Sequence, residues 1–303
     1  LRDVNFMLPC GAIPLLKQLP GFESFDPSSE VLHCDKPGTG LVDAPRAFSM
    51  KLSKVTLQQC DLRPTSPDPE LVIKHIDRRL VAVMCKHVDD LKIAGERAVV
   101  EWIVTKIKEV FGPLVVQWHT FTNCGIRHIQ DSTRKEVTLD QEEYVAALKP
   151  IIHSDVRDKT SEALACQPVQ DLFMSLLGAV AYALLTRTDA AVFVAALQRV
   201  TGKCQYIHVK RLNTVVRWLQ RNPKRIRFCR LGKEHHLRVI SDSAFRCEDG
   251  EGHALKGHLF LRAETTWTTD HSIVVNSAKV HLLDYSCKKQ RHVTRSTFGA
   301  ELF

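Results

Sequence analysis

Residues 79–95 read RLVAVMCKHVDDLKIAG. Two short apolar runs flank an adjacent carboxylate pair, Asp89 and Asp90. Carboxylates in apolar surroundings are costly unless something neutralises or solvates them. A tight turn in water is one solution, because Asp side chains bond their own backbone in turns. A bound divalent cation is another. The flanks VAVMCKHV and LKIAG are rich in β-branched residues and read as the two arms of a hairpin. Side chains alternate faces along such arms, so Asp89 and Asp90 are expected to point opposite ways unless the turn reorients them. Taken alone, the stretch leaves turn and metal site both open.

The neighbours extend the pattern. Residues 71–76 read as a further strand, joined to the hairpin through Asp77-Arg78-Arg79. A helix is predicted from Asp43, an N-cap with Pro45 in the first turn, with Phe48, Leu52, Val55 and Leu57 on its apolar face. A second helix is predicted over residues 96–111, with Val99, Ile103, Ile107 and Val110 on one face and Gly112-Pro113 as its stop. Strands are expected at 114–118, in CGIRHI and in KEVTL, followed by a helix that opens on the acids of 140–143. Residues 153–168 are polar and turn-rich and read as a connection. Helices are expected at 171–185, 190–200 and 205–220, the last basic and amphipathic. From Leu237 the texture turns to strands, LRVISDSAF, KGHLFLRA and SIVVNS, giving a mostly antiparallel sheet.

Bulk properties narrow the classes. The chain has 303 residues, is 44% hydrophobic and carries a net charge of +8. That hydrophobic content supports a packed core and argues against disorder. The positive balance points to an anionic partner, nucleic acid before a membrane surface. The ten cysteines include no C-x-x-C pair and no zinc-finger spacing, so they read as reduced thiols of an intracellular protein, cytoplasmic or nuclear rather than secreted. The most apolar stretch, SLLGAVAYALL, is too short to span a bilayer. His235, His236, His253 and His258 lack a second ligand pair at metal spacing and are not read as a zinc site. The ends, Leu1 and ELF, read as cut from something longer.

HVDDLKIAG resembles the Tyr-x-Asp-Asp hairpin of copia-type retrotransposon reverse transcriptases, with His87 where that family has Tyr. GLVDAPRAFSMKL (residues 40–52) is similar to the family's Gly-Leu-Lys-Gln-Ala-Pro-Arg-Ala-Trp block, and LPGFE (19–23) to its Pro-Pro-Gly-Phe. CGIRHIQDSTRKEVTLDQEEYVAAL resembles the block with Leu-Gly-Ile-Glu-Ile and Leu-Ser-Gln-x-x-Tyr. SLLGAVAYALLTRTDAAVFVAALQR (175–199) and HVKRLNTVVRWLQ (208–220) resemble the two helical blocks that follow. The blocks come in the family's order over nearly the whole chain.

The resemblance implies an α+β chain: a right-hand polymerase palm and thumb fragment followed by a truncated RNase H-like α/β domain. The implied divisions are fingers and palm at 1–150, a basic helical thumb and connection at 151–233, and the RNase H-like part at 234–303. It implies RNA-directed DNA synthesis with two Mg²⁺ ions, Mn²⁺ being the substitute. Its partners would be an RNA template, a DNA primer, an RNA–DNA hybrid and dNTPs, with no membrane. By position, Asp89 and Asp90 become palm metal ligands, Asp89 the direct one, and His87 a primer-side contact. Arg46 becomes a template or nucleotide contact, the alternative being a surface Arg paired with Asp43. SDSAF puts Asp242 at a catalytic and metal-binding position of RNase H, the alternative being a strand-end cap, and VTRSTFGAELF, just after YSCKKQ, puts Glu301 at another.

Two-metal transfer needs a third palm carboxylate on an earlier strand. LRDVNFMLP offers Asp3, but without the Ala-Phe-Leu run that marks the family's motif, so the first motif is expected to lie upstream and synthesis by this chain alone to be poor or absent. The RNase H-like part is expected to be marginally stable by itself. Between Lys203 and Lys233 there are ten Lys or Arg and no Asp or Glu. Lys210, Arg211, Arg217, Arg221, Lys224 and Arg225 are therefore expected to follow the phosphates of a hybrid duplex, the alternative being a merely basic surface, and Trp218 is read as core. The alternative function is a catalytically dead retroelement remnant that acts at most as a basic nucleic-acid-binding module.

Overall fold

The computed structural model describes residues 5–34, 41–42, 44–244, 254–264 and 278–290. The fold is mixed, with 37% helix and 30% strand in small antiparallel sheets, which excludes all-α and all-β classes. The chain packs as two compact units, Leu1–Val116 and Gln117–Phe303. Asp3, Asp43, His253, the strand expected in SIVVNS and the block carrying Glu301 lie outside the described residues.

In the first unit β1 (Asn5–Phe6) pairs with β2 (Leu32–His33), and α1 (Ile13–Leu16) lies between them in the chain. α2 (Ala44–Gln58) leads to a four-stranded sheet ordered β3-β4-β5-β6, made of Arg63–Pro64, Leu71–Ile76, Arg79–His87 and Asp90–Gly95. α3 (Arg97–Phe111) follows. Alternation decides the faces: Val72 stands opposite Met84, and Met84 opposite Ile93, so these share one side of the sheet. They join Leu52 and Val55 of α2 and Ile103 and Ile107 of α3 in one core. Each fully buried Val, Leu or Ile there contributes roughly 1.5–3 kcal/mol. Leu57, expected on the apolar face of α2, is exposed, and Thr56 is buried in its place. α3 ends as expected at Gly112, whose φ of 87° is open to glycine at no steric cost.

The strand expected at 114–118 does not form. The segment has no strand structure, and Val115 is 94% exposed. Its residues suit a strand, but no partner edge meets them, and pairing rather than propensity makes a strand.

The second unit holds a sheet ordered β10-β9-β8-β7, from β7 (Thr120–Asn123), β8 (Ile126–Asp131), β9 (Glu136–Asp140) and β10 (Ile226–Phe228). Beside it in the same unit are α4 (Glu142–Ala147), α5 (Ser154–Asp158), α6 (Gln167–Ala183), α7 (Ala191–Gln198) and α8 (Tyr206–Arg221). α6 starts earlier than expected because Cys166 takes the N-cap and Pro168 fits the first turn. Phe173, Leu177 and Val180 of α6, Val194 of α7 and Val209, Leu212 and Val216 of α8 form its core. The last sheet is an antiparallel meander of β11 (His235–Ala244), β12 (Leu255–Glu264) and β13 (Val280–Lys289). β13 lacks clean alternation and was not legible as a strand. Among the described residues, no helix is long and apolar enough to cross a membrane.

Candidate active site and nucleic-acid interface

The Asp pair sits at the tip of the β5–β6 hairpin. His87 pairs with Asp90, which leaves Val88 and Asp89 as a two-residue loop. All four residues are exposed, so water solvates the carboxylates and the apolar arms are buried further down. Val88 has φ 55°, whereas Asp89 is not among the positive-φ residues. Positive φ at the first loop position alone is the type II′ pattern, normally served by Gly. A β-branched residue there is a steric outlier. The other two-residue hairpins have positive φ at both loop positions, the type I′ pattern, with one favoured residue each: Asp77-Arg78, with φ 49° and 62°, and Cys124-Gly125, with φ 48° and 66°. Asp89 makes no hydrogen bond or ion pair with the described residues, and His87, directly across from Asp90, lies about 5 Å from it at Cβ by antiparallel geometry.

Beneath the tip is a residue that sequence reading missed. Lys86 is 6% exposed, and its Nζ donates to Ser53 Oγ at 2.9 Å and pairs with Glu70 Oε2 at 3.1 Å. This ties the tip end of the hairpin to α2. Its position was a readable signal, since Ala82, Met84 and Lys86 share the inward parity of β5. Gly95 closes the other arm. A Cβ there would stand 2.4 Å from Val81 O, so no larger residue lets β6 lie this close. Arg46 is exposed in the first turn of α2, where its charge adds to the positive end of the helix dipole.

In the second unit, α8 carries the basic residues. Gln205 and His208 close a capping box at its start, with Gln205 N–H donating to His208 Nδ1 at 3.0 Å. Burial and the nearby Arg211 both lower the His208 pKa, which suits an imidazole that accepts. Lys210, Arg211, Arg217 and Arg221 fall within one ~120° arc at 100° per residue. Arg211, Arg217 and Arg221 are exposed, and Lys210 donates to Ser161 Oγ at 3.1 Å. Lys224 and Arg225 are placed differently. Lys224 Nζ pairs with Asp189 Oδ2 at 3.1 Å, and Arg225 makes two bonds to Glu142 at 2.7 and 2.9 Å. The basic run is thus unmixed in sequence but partly neutralised in space. Arg225 holds the Glu142 pKa below its ordinary value, against a smaller upward push from burial.

The helical blocks that carry the resemblance meet in a buried polar network. Arg187 is 3% exposed; it bonds Asp189 at 3.0 and 3.1 Å and donates to Leu219 O at 3.0 Å. Thr186 donates to Gln141 Oε1 at 3.0 Å, and Tyr144 to Ala179 O at 2.9 Å. Tyr182 donates to Cys124 O in the β7–β8 hairpin. Asn213 takes both polar groups of Ile151, accepting from N–H at 2.7 Å and donating to C=O at 2.9 Å. Trp218 is half-buried with the Arg187 guanidinium 5.3 Å from its ring centroid and Lys224 Nζ at 5.8 Å, a packed ring rather than a bare platform.

Asp242 is exposed on β11 opposite Gly257, which in turn stands opposite Cys287. Glu301 lies outside the described residues, so the structure does not relate it to Asp242. Comparison with family models, with curated proteins and with solved structures finds no match to this chain.

Proposed function

We propose that the first unit is the palm of a copia-type RNA-directed DNA polymerase and that the second carries its basic duplex-binding helix and an RNase H-like sheet. The observation that carries this reading is the β5–β6 tip. Two exposed carboxylates stand on a turn whose leading residue, Val88, is held at φ 55° where Gly or Asn would relax it. Strain of this kind persists where the surroundings over-determine it and gathers at ligand sites. Nothing in the packing of the first unit needs Asp89, which has no partner among the described residues.

The donor type fits Mg²⁺, a hard cation that takes carboxylate oxygens and keeps several waters. Asp89 and Asp90 would hold it, and Mn²⁺ would substitute. The bound ions would activate the attacking 3′-hydroxyl and stabilise the leaving pyrophosphate. The set is partial: among the described residues, no third metal-ligating side chain joins the pair. His87 and Arg46 are assigned to the primer side and to template or nucleotide phosphates. Arg211, Arg217 and Arg221 on α8 are assigned to the backbone of an RNA–DNA hybrid, where contacts position the duplex without reading its sequence. Asp242, on the first strand of the meander, is assigned with Glu301 to the RNase H metal site.

Primer extension on a primed RNA template in Mg²⁺ tests the polymerase reading. Synthesis is expected to be slow or absent, any Mg²⁺-dependent product falling to background in Asp89→Asn with the unfolding midpoint and hybrid affinity unchanged. Synthesis that persists undiminished in Asp89→Asn would sink the reading. Salt-sensitive hybrid binding without synthesis would favour the second one, a basic nucleic-acid-binding module, which rests on the exposed arginine face of α8.

A further inference from the structure

We propose that His153, Asp155 and Cys166 form a binding site for a zinc-class divalent cation, separate from the carboxylate hairpin. One ligand atom from each of the three lies within 4.8 Å of the other two, and all three residues are half-buried. They come from two segments: His153 and Asp155 from the N-cap and first turn of α5, and Cys166 from the N-cap of α6. The set of one imidazole nitrogen, one carboxylate oxygen and one thiol sulfur suits Zn²⁺ and Co²⁺. It is wrong for Mg²⁺, which prefers oxygen and octahedral geometry. This separates the site from the one proposed on the hairpin.

The ligands are also oriented from outside, as metal ligands usually are. The Tyr206 hydroxyl donates to Asp155 Oδ2 at 3.0 Å and accepts from Cys166 N–H at 3.3 Å. One residue at the start of α8 therefore positions both the carboxylate and the thiol-bearing turn. Asp155 N–H donates to His153 Nδ1 at 3.2 Å, so that nitrogen presents a lone pair, and an ion that takes it displaces this bond and leaves Nε2–H as the ring's donor. The backbone of the connecting segment is fixed to the start of the same helix and to the turn before it, with Tyr206 N–H donating to Ala163 O at 3.1 Å and Ala165 N–H to Cys204 O at 2.9 Å. Three protein ligands leave a tetrahedral ion one position for water. Binding is a ligand exchange without redox: the Cys166 thiol becomes a metal-bound thiolate, and its proton goes to solvent. The ion would clip the start of α5 to the start of α6, fastening a segment whose polar sequence reads as a loose connection.

Co²⁺ titration of the full chain, stripped with chelator and kept reduced, tests the site. One saturable equivalent with a thiolate-to-cobalt charge-transfer band is expected, displaced by Zn²⁺ and unaffected by excess Mg²⁺. Cys166→Ser should remove the band, His153→Ala and Asp155→Asn should weaken Co²⁺ binding by more than roughly tenfold, and Cys10→Ser, at an exposed thiol of the first unit, should change nothing. Zn²⁺ should raise the melting temperature of the wild type and not that of His153→Ala, whose far-ultraviolet circular dichroism reports that it is folded. No saturable binding, a band that survives Cys166→Ser, or equal affinity in folded His153→Ala would overturn the site.

Discussion

The β5–β6 hairpin and the polar network around Arg187 treat charge in opposite ways. At the hairpin, two carboxylates stand in water on a strained turn, and Asp89 makes no hydrogen bond or ion pair with the described residues. Around Arg187, a guanidinium that is 3% exposed has its bonds filled by Asp189 and by the Leu219 carbonyl. Yet both regions supplied sequence blocks with the same family resemblance. A matched block therefore says nothing about whether its residues hold the fold or face a ligand. Burial and satisfaction separate the two: a satisfied buried group contributes to stability, and an exposed, strained, unpartnered one does not.

The sharpest way to break that division is Arg187→Ala. It leaves Asp189 with Lys224 alone and the Leu219 carbonyl unpaired in a buried setting. Removing one partner of a buried pair typically costs 3–5 kcal/mol, and the remaining Lys224 contact places this case near 3 kcal/mol. Urea unfolding followed by Trp fluorescence should show the loss, since Trp218 packs against the same guanidinium. A change below about 1 kcal/mol, the level of an ordinary surface substitution, would mean that this network is not the scaffold described here.

On the nucleic-acid side the comparison runs within one basic run. Arg217 and Arg221 have no acidic partner among the described residues, whereas Lys224 and Arg225 do. Each phosphate contact contributes about 0.9 to the slope of log affinity against log salt for duplex DNA. Arg217→Ala with Arg221→Ala should lower the slope for an RNA–DNA hybrid by about 2, and Lys224→Ala with Arg225→Ala by less than about half of that. Equal losses in filter-binding titrations would show that the ion pairs open on binding and that exposure did not pick out the contacts.

How far the sequence could be read follows the same line. Alternation and caps were local signals, and they located β4, β6, α3 and α8 to within a residue or two. The α+β class followed from them. What failed was non-local. Residues 114–118 have strand-forming side chains but meet no partner edge. The acids that neutralise Lys224 and Arg225 lie far back in the chain, at Asp189 and Glu142, so counting charges between 203 and 233 could not find them. Lys86 depends on Ser53 and Glu70, which only the folded sheet brings together. The tip itself was legible as a hairpin, but its strain was not, because the φ of Val88 depends on register rather than on residue type.

That strain gives a smaller test of the hairpin's side of the comparison. A non-glycine residue in the left-handed region costs roughly 1–2 kcal/mol, and glycine returns up to about 1 kcal/mol of that as unfolded-state entropy. Val88→Gly should therefore stabilise the first unit by a few tenths to about 1 kcal/mol, read as a rise in the urea midpoint, while lowering any Asp89-dependent synthesis. A lower midpoint would mean that the Val88 side chain packs usefully, and the tip would then belong with the scaffold.

The smallest effect is expected from Glu142→Gln at the edge of the network. Its carboxylate accepts two bonds from Arg225, which hold its pKa below the ordinary value, and it lies in the first turn of α4, where the helix dipole also favours negative charge. A carboxyl whose folded pKa is depressed contributes stability that is present above its unfolded value, about 4.3, and is lost as pH falls through the folded value. The wild type should therefore lose more stability than Glu142→Gln on going from about pH 5 to about pH 3, with the two proteins drawing together at the acid end. Asp189 is also held low, burial pushing its pKa up but the bonds from Arg187 and Lys224 outweighing it, and it remains in both proteins. The difference between the two acid titrations thus reports the contacts of Glu142 with Arg225 and with Arg127, whose Nη2 lies 3.5 Å from Glu142 Oε2. Parallel curves would show that these are surface contacts that contribute nothing, and that Asp140, 3.7 Å from Arg225 Nε, is the acid that holds Arg225 in place.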